Sequence, residues 1–189
     1  MSIERDEPGF DVLFFNPFLK ISGVPALIAG LVLIIIASAV GYLSSAQFNG
    51  VLNTLILPEK PLWYLAAINL FNWIISTLVF LVLGVIFTRS EFRIIDIAGT
   101  QAFARWPNII AVLALLILKI PGVQNLPFML YIMECMAYLS LCLMVTLMYN
   151  SYKISFDLKG GKLVATFIAG LFTAQTVSLF VIRYFSGLF

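Results

Sequence analysis

The chain has 189 residues, 62% of them hydrophobic and 11% charged, with a mean hydropathy of +1.06. A water-soluble domain carries about 25% charged residues, so the composition excludes a globule that coats its own core in water. A net charge of +2 with scattered basic residues excludes a nucleic-acid partner.

In chain order, residues 1–23 read as a cytoplasmic or interfacial N-terminal segment. It is acidic (Glu4, Asp6, Glu7, Asp11) and lacks the basic start and apolar core of a signal peptide. Phe10, Phe14, Phe15 and Phe18, around Pro17, predict a stretch lying at headgroup level and leading into a first span. Residues 24–189 read as an all-α, polytopic helix bundle with five transmembrane spans, at about 24–46, 61–88, 106–120, 126–150 and 163–189. A spanning helix needs about 20 apolar residues, and the third run is the shortest. It begins beside Trp106-Pro107, with proline in the first turn where its missing N–H costs nothing. Residues 94–104 either extend it or form an amphipathic helix along the surface. Lys159-Gly160-Gly161-Lys162 predicts a polar turn before the last span.

Five spans place Arg5, Lys20, Arg89, Arg93, Arg105, Lys153, Lys159 and Lys162 on one side and Lys60, Lys119 and Arg183 on the other. Lysine and arginine favour the cytoplasmic side. The N-terminus is therefore expected inside and the C-terminus outside. A four-span arrangement with a re-entrant third run would split the two basic loops between opposite faces, which the charge bias disfavours.

The chemistry of enzymes is sparse. The chain has no histidine, which removes the commonest general base near neutral pH and the commonest transition-metal ligand. Zinc proteolysis of the H-E-x-x-H type is excluded. No predicted span holds a serine with a base or a pair of facing aspartates, and Gly160-Gly161 lacks the rest of a phosphate-binding loop. Cys135 and Cys142 share a helix face but stand ~10 Å apart along the axis, too far for a disulfide; they read as buried packing residues. No catalytic residue, metal or cofactor is expected. Gly170, Ala174 and Ser178, like Ala37, Gly41 and Ser45, are small residues at four-residue spacing. They suit either a dimer face or packing within the monomer's own bundle.

Two polar features stand inside apolar runs. Asn69, Asn72 and Ser76 form a stripe on span two, and Glu134 lies within span four. An ionisable group at that depth is expensive and usually faces the bundle interior. Both features fall ~12–16 Å below the outer ends of their spans at 1.5 Å per residue. Glu134 is therefore expected to meet Asn69 and Asn72 across a buried contact. Either the four residues hydrogen-bond structurally, or they form an ion or proton site.

Five charge-poor spans with the N-terminus inside resemble the Yip family of membrane proteins, named for interaction with Ypt/Rab GTPases. Asn16-Pro17-Phe18 is similar to the family's N-P sequence before span one. The stretch from Asp96 through Gly99 to Pro107 resembles its glycine-containing turn, short helix and proline before span three. Tyr149 to Gly170, including Gly160 and Gly161, resembles its last cytoplasmic loop and the start of its last span. The resemblance implies a non-enzymatic protein acting through protein or lipid contacts within the membrane, in trafficking or membrane organisation. Eukaryotic members use a longer cytosolic N-terminal region than the roughly twenty residues here. This counts against GTPase binding and points to a short, bacterial-type member in the cytoplasmic membrane. Membrane lipids, other membrane proteins or a second copy are the expected partners. A small transporter or channel component, using Glu134 and the span-two stripe, is the rival expectation.

Overall fold

A computed structural model describes residues 16–56, 60–88, 92–123 and 126–186. The acidic N-terminal residues and Phe10, Phe14 and Phe15 lie outside the described residues. A 3-10 turn, Pro17–Leu19, precedes helix α1, Gly23–Ser44. A hairpin follows, β1 Ala46–Asn49 and β2 Asn53–Ile56, then α2, Leu62–Phe87. The third span is two helices, α3 Ile94–Phe103 and α4 Asn108–Leu118, joined by a turn. Helices α5, Pro127–Phe156, and α6, Gly160–Ser186, follow. Among the described residues, five stretches are long and apolar enough to cross a membrane: Gly23–Ser44, Leu62–Phe87, Ile94–Leu118, Phe128–Phe156 and Gly160–Tyr184.

The third span differs most from expectation. Residues 94–103 do not lie along the surface; Ile97, Gly99, Thr100, Gln101 and Ala102 are buried. The reason is close packing by small residues. A Cβ on Gly99 would stand 2.5 Å from the Gly23 carbonyl oxygen, and one on Gly30 would stand 2.5 Å from Ala102. α1 thus lies against α3 with backbone nearly touching backbone. The Trp73 indole N–H donates to the Ala98 carbonyl at 3.1 Å, fixing α2 to the same helix.

Pro107 ends the ladder that would otherwise run through the span, since it has no N–H to donate. The turn recovers backbone partners locally: Arg105 N–H to the Ala102 carbonyl at 3.2 Å, and Asn108 N–H to the Arg105 carbonyl at 3.0 Å. The Ser140 hydroxyl of α5 donates to the Pro107 carbonyl.

The hairpin was not predicted. It pairs Ala46 with Ile56 and Asn49 with Asn53, turning at Gly50, whose φ of +83° suits glycine. The Leu52 N–H donates to the Gln175 side chain at 2.9 Å, tying the hairpin to α6. Two apolar clusters fill the bundle. One gathers Phe80, Tyr152, Phe156 and Phe167 near the end where α5 turns into α6; the other joins α1, the hairpin, α2 and α4 around Phe48, Ile68 and Val112. A Cβ on Gly84 would meet the Phe156 ring at 2.0 Å, and one on Gly170 the Phe80 ring at 2.8 Å. Ala37, Gly41, Ala174 and Ser178 are buried as well. Both small-residue series therefore pack inside the monomer.

The cysteines depart from expectation: both are exposed on α5. Most side chains around the two cysteines on this helix are apolar, and a thiol behaves as a small hydrophobe that lipid accepts as readily as a core does.

Candidate functional site

Asn69, Asn72 and Ser76 are all buried, as a polar stripe on a packed helix should be. Their partners are other than expected. The Asn69 amide donates to the Ile34 carbonyl at 3.3 Å and to the Ser38 hydroxyl at 3.2 Å, both on α1. The Ser178 hydroxyl of α6 donates to Asn72 Oδ1. The third partner is Arg105, whose Nη2 donates to the Asn72 carbonyl at 2.8 Å and to Ser76 Oγ at 2.9 Å.

Arg105 is 2% exposed. It does not begin the span at the inner surface. It is the twelfth of the 25 residues of Ile94–Leu118, ~16 Å from the start at 1.5 Å per residue in a hydrocarbon core ~30 Å thick. The break at residues 104–107 turns its side chain into the bundle at mid-depth. Nε and Nη1 are buried without a hydrogen-bond partner, as is Asn72 Nδ2. Among the described residues no carboxylate pairs with the guanidinium; the ion pair of Lys159 with Asp157, at 3.2 Å, is between exposed groups.

Glu134 stands apart from this network. It is exposed and lines a half-open cleft of about 260 Å³ with Thr54, Asn108, Tyr138 and Ser140. The expected contact with Asn69 and Asn72 is not made, because the Asn69 side chain is turned toward α1 and the Asn72 side chain toward α6. Glu134 shares its cleft with α4 and the hairpin, which was absent from the sequence-level picture.

A second buried network ties α3 to α5. Gln101 Nε2 donates to Ser151 Oγ at 3.2 Å, and Ser151 Oγ donates to Thr100 Oγ1 at 2.6 Å. Thr100 in turn donates to the Asp96 carbonyl at 2.7 Å. Above this network, at the end of the bundle where α1 and α3 begin and α5 ends, lies a half-open cleft of about 450 Å³. Phe18, Phe92 and Ile154 give it apolar walls; Ser22, Ser155, Arg93 and Asp96 give it polar ones.

Of the three stretches singled out in the sequence, this cleft takes Phe18 from the first, Asp96 from the second and Ile154 and Ser155 from the third. From the first, Asn16 and Pro17 set the 3-10 turn and bury Phe18, whose ring meets Phe103 edge-on at 6.2 Å. From the second, Asp96 lines the cleft and Gly99 packs under Gly23. The third supplies Ile154 and Ser155. Pro107 is elsewhere, at the mid-depth break. Gly160 and Gly161 open α6 rather than lying in a loop, with open space beside them and no part in the cleft.

Arg105 is what the sequence reading misplaced. Counting the third span from Ile94 instead of Trp106 would have centred its single mid-span charge. Among the described residues no group of three or more potential metal-ligating side chains occurs. No family model, curated protein or solved structure matches the chain.

Proposed function

We propose that the chain is a non-enzymatic, multi-pass membrane protein of the Yip type that works through protein or lipid contacts at the end of the bundle bearing Arg93 and Asp96. The reading is supported by one cleft lined by Phe18, Asp96, Ile154 and Ser155, which come from three sequence-distant stretches. The cleft residues stand at the level of the helix ends, while Gly99 and Pro107 pack the bundle and Gly160 and Gly161 stand apart. That end also bears Lys20, Lys153, Lys159 and Lys162. Removing Arg105 from the surface leaves seven basic residues there against three, which still favours a cytoplasmic placement. A bacterial cytoplasmic membrane as its setting is part of the same proposal. The test is photocrosslinking in native membranes from a photoreactive residue at Ile154. Specific adducts there, absent when the same residue replaces exposed Phe180 near the other end, are expected; equal labelling at both positions would sink the reading.

A small transporter or channel component is the second reading. It is favoured by Arg105, a buried cation at mid-depth beside a broken helix, since transporter sites are often built from discontinuous helices near the midplane. Neither cleft described above reaches Arg105, which keeps this reading second.

A further inference from the structure

The cleft at the Arg93–Asp96 end is placed as a lipid headgroup is placed. Ser22 immediately precedes α1, Phe92 and Arg93 immediately precede α3, and Ile154 and Ser155 belong to the last turn of α5. Its floor is therefore the top of the apolar bundle and its rim the bilayer interface. Its volume of about 450 Å³ falls within the ~300–1,000 Å³ of small-molecule sites.

The charges on the rim are of opposite sign and do not pair. Arg93 is the N-cap of α3 and Asp96 lies in its first turn, close enough in sequence to interact on a helix surface, yet no ion pair joins them. Asp96 instead turns toward the start of α1, where a Cβ on Gly23 would stand 3.2 Å from its Oδ1. The carboxylate thus lies at the N-termini of two helices, while the exposed guanidinium of Arg93 remains available for bidentate contact with an oxyanion. Ser22 and Ser155 add hydroxyls that donate or accept.

We propose that this cleft binds the headgroup of a zwitterionic glycerophospholipid, its phosphate against Arg93 and its amine against Asp96, with the acyl chains leaving past Phe18 and Ile154. This rests on the contact reading above and names the ligand of that same site. An anionic phospholipid would satisfy Arg93 but set its phosphate near a carboxylate with nothing cationic to offer it. A phospholipid bearing an amine satisfies both.

The full chain reconstituted with equal phosphatidylethanolamine and phosphatidylglycerol tests this by native mass spectrometry of retained lipid. Phosphatidylethanolamine should be retained in preference by about tenfold, the equivalent of one charge-assisted hydrogen bond. Asp96→Asn should erase the preference while leaving total retention. Arg93→Gln should lower retention of both lipids, and Lys119→Gln at the opposite end should change neither. Enrichment of phosphatidylglycerol, or an Asp96→Asn preference equal to wild type in folded protein, overturns the assignment. Crosslinking from Ile154 separates the levels of the account. Protein adducts without lipid there would overturn the headgroup and leave the contact reading standing; adducts of neither kind would overturn both.

Discussion

Replacing Arg105 by methionine removes a cation from mid-depth while keeping an unbranched side chain that can fill the space. An arginine at the centre of a spanning helix costs about 2.5–3.5 kcal/mol on insertion scales. Against this stand its two hydrogen bonds, to the Asn72 carbonyl and Ser76 Oγ. Polar contacts in membranes average about 0.6 kcal/mol and reach about 1.7, so the pair offsets about 1–3 kcal/mol. Removing the guanidinium strands little. Ser76 Oγ also donates to the Trp73 carbonyl at 2.9 Å, and the Asn72 carbonyl lies inside α2, where the helix ladder supplies it an N–H. Nε and Nη1, unpartnered in the native bundle, disappear with the side chain. Arg105→Met should therefore leave stability unchanged or raise it by up to about 2 kcal/mol, as replacement of buried ionic groups by apolar ones often does. Arg105→Lys should instead lose about 1–2 kcal/mol, because a compact ammonium keeps the buried charge without the planar fork that reaches two acceptors. Equilibrium unfolding in bicelles, with steric trapping as the readout, measures both. A loss beyond about 2 kcal/mol in Arg105→Met would refute the reasoning and make Arg105 a structural tie rather than a group retained for function.

Gly99→Val should cost about 2–3 kcal/mol in the same assay, since its Cβ would press on the Gly23 carbonyl oxygen from 2.5 Å and backbone yields poorly. Gly161→Ala, beside open space, should be neutral or gain up to about 1 kcal/mol from helix propensity. Glu134→Leu should change stability by no more than about 0.5 kcal/mol, as for exposed positions; a loss of about 1–2 kcal/mol would restore the buried contact with Asn69 and Asn72 that the fold lacks. Reporter fusions should show periplasmic activity after Lys60, Gly122 and Phe189 and none after Glu91 and Gly160. Activity at Glu91 or Gly160 would reverse the orientation.

The spans were legible because a bilayer imposes a length and a composition that few other environments demand. The run from 24 to 46 became Gly23–Ser44 and that from 61 to 88 became Leu62–Phe87. Errors arose where charge or proline was taken to mark a surface. Arg105 beside Trp106-Pro107 looked like the start of a span, but close packing of Gly30 and Gly99 draws Ile94–Phe103 inward and carries the arginine to mid-depth. Lys153 did not end α5 near Asn150 either, because a long side chain keeps its charge in water while its helix continues. The hairpin's signal was Asn49-Gly50, a dipeptide characteristic of tight turns. It was hidden because the flanking strands are only four residues each. The stripe of Asn69, Asn72 and Ser76 was read as buried and is buried. Its partners could not be read, since depth along two helices says which groups are level and not which helices are neighbours.

Contact protein and transporter differ most sharply in whether water reaches Arg105. In a chain freed of exposed Cys135 and Cys142 by alanine, Ser76→Cys and Ser178→Cys place thiols in the Arg105 network, and Ser155→Cys places one in the cleft at the helix ends. Membrane-impermeant thiol reagents applied to either face of sealed vesicles give the result directly. Labelling of Ser155→Cys from one face only, with Ser76→Cys and Ser178→Cys protected from both, is what the contact account predicts. Labelling of either interior cysteine would show a water-filled path to mid-depth and contradict it.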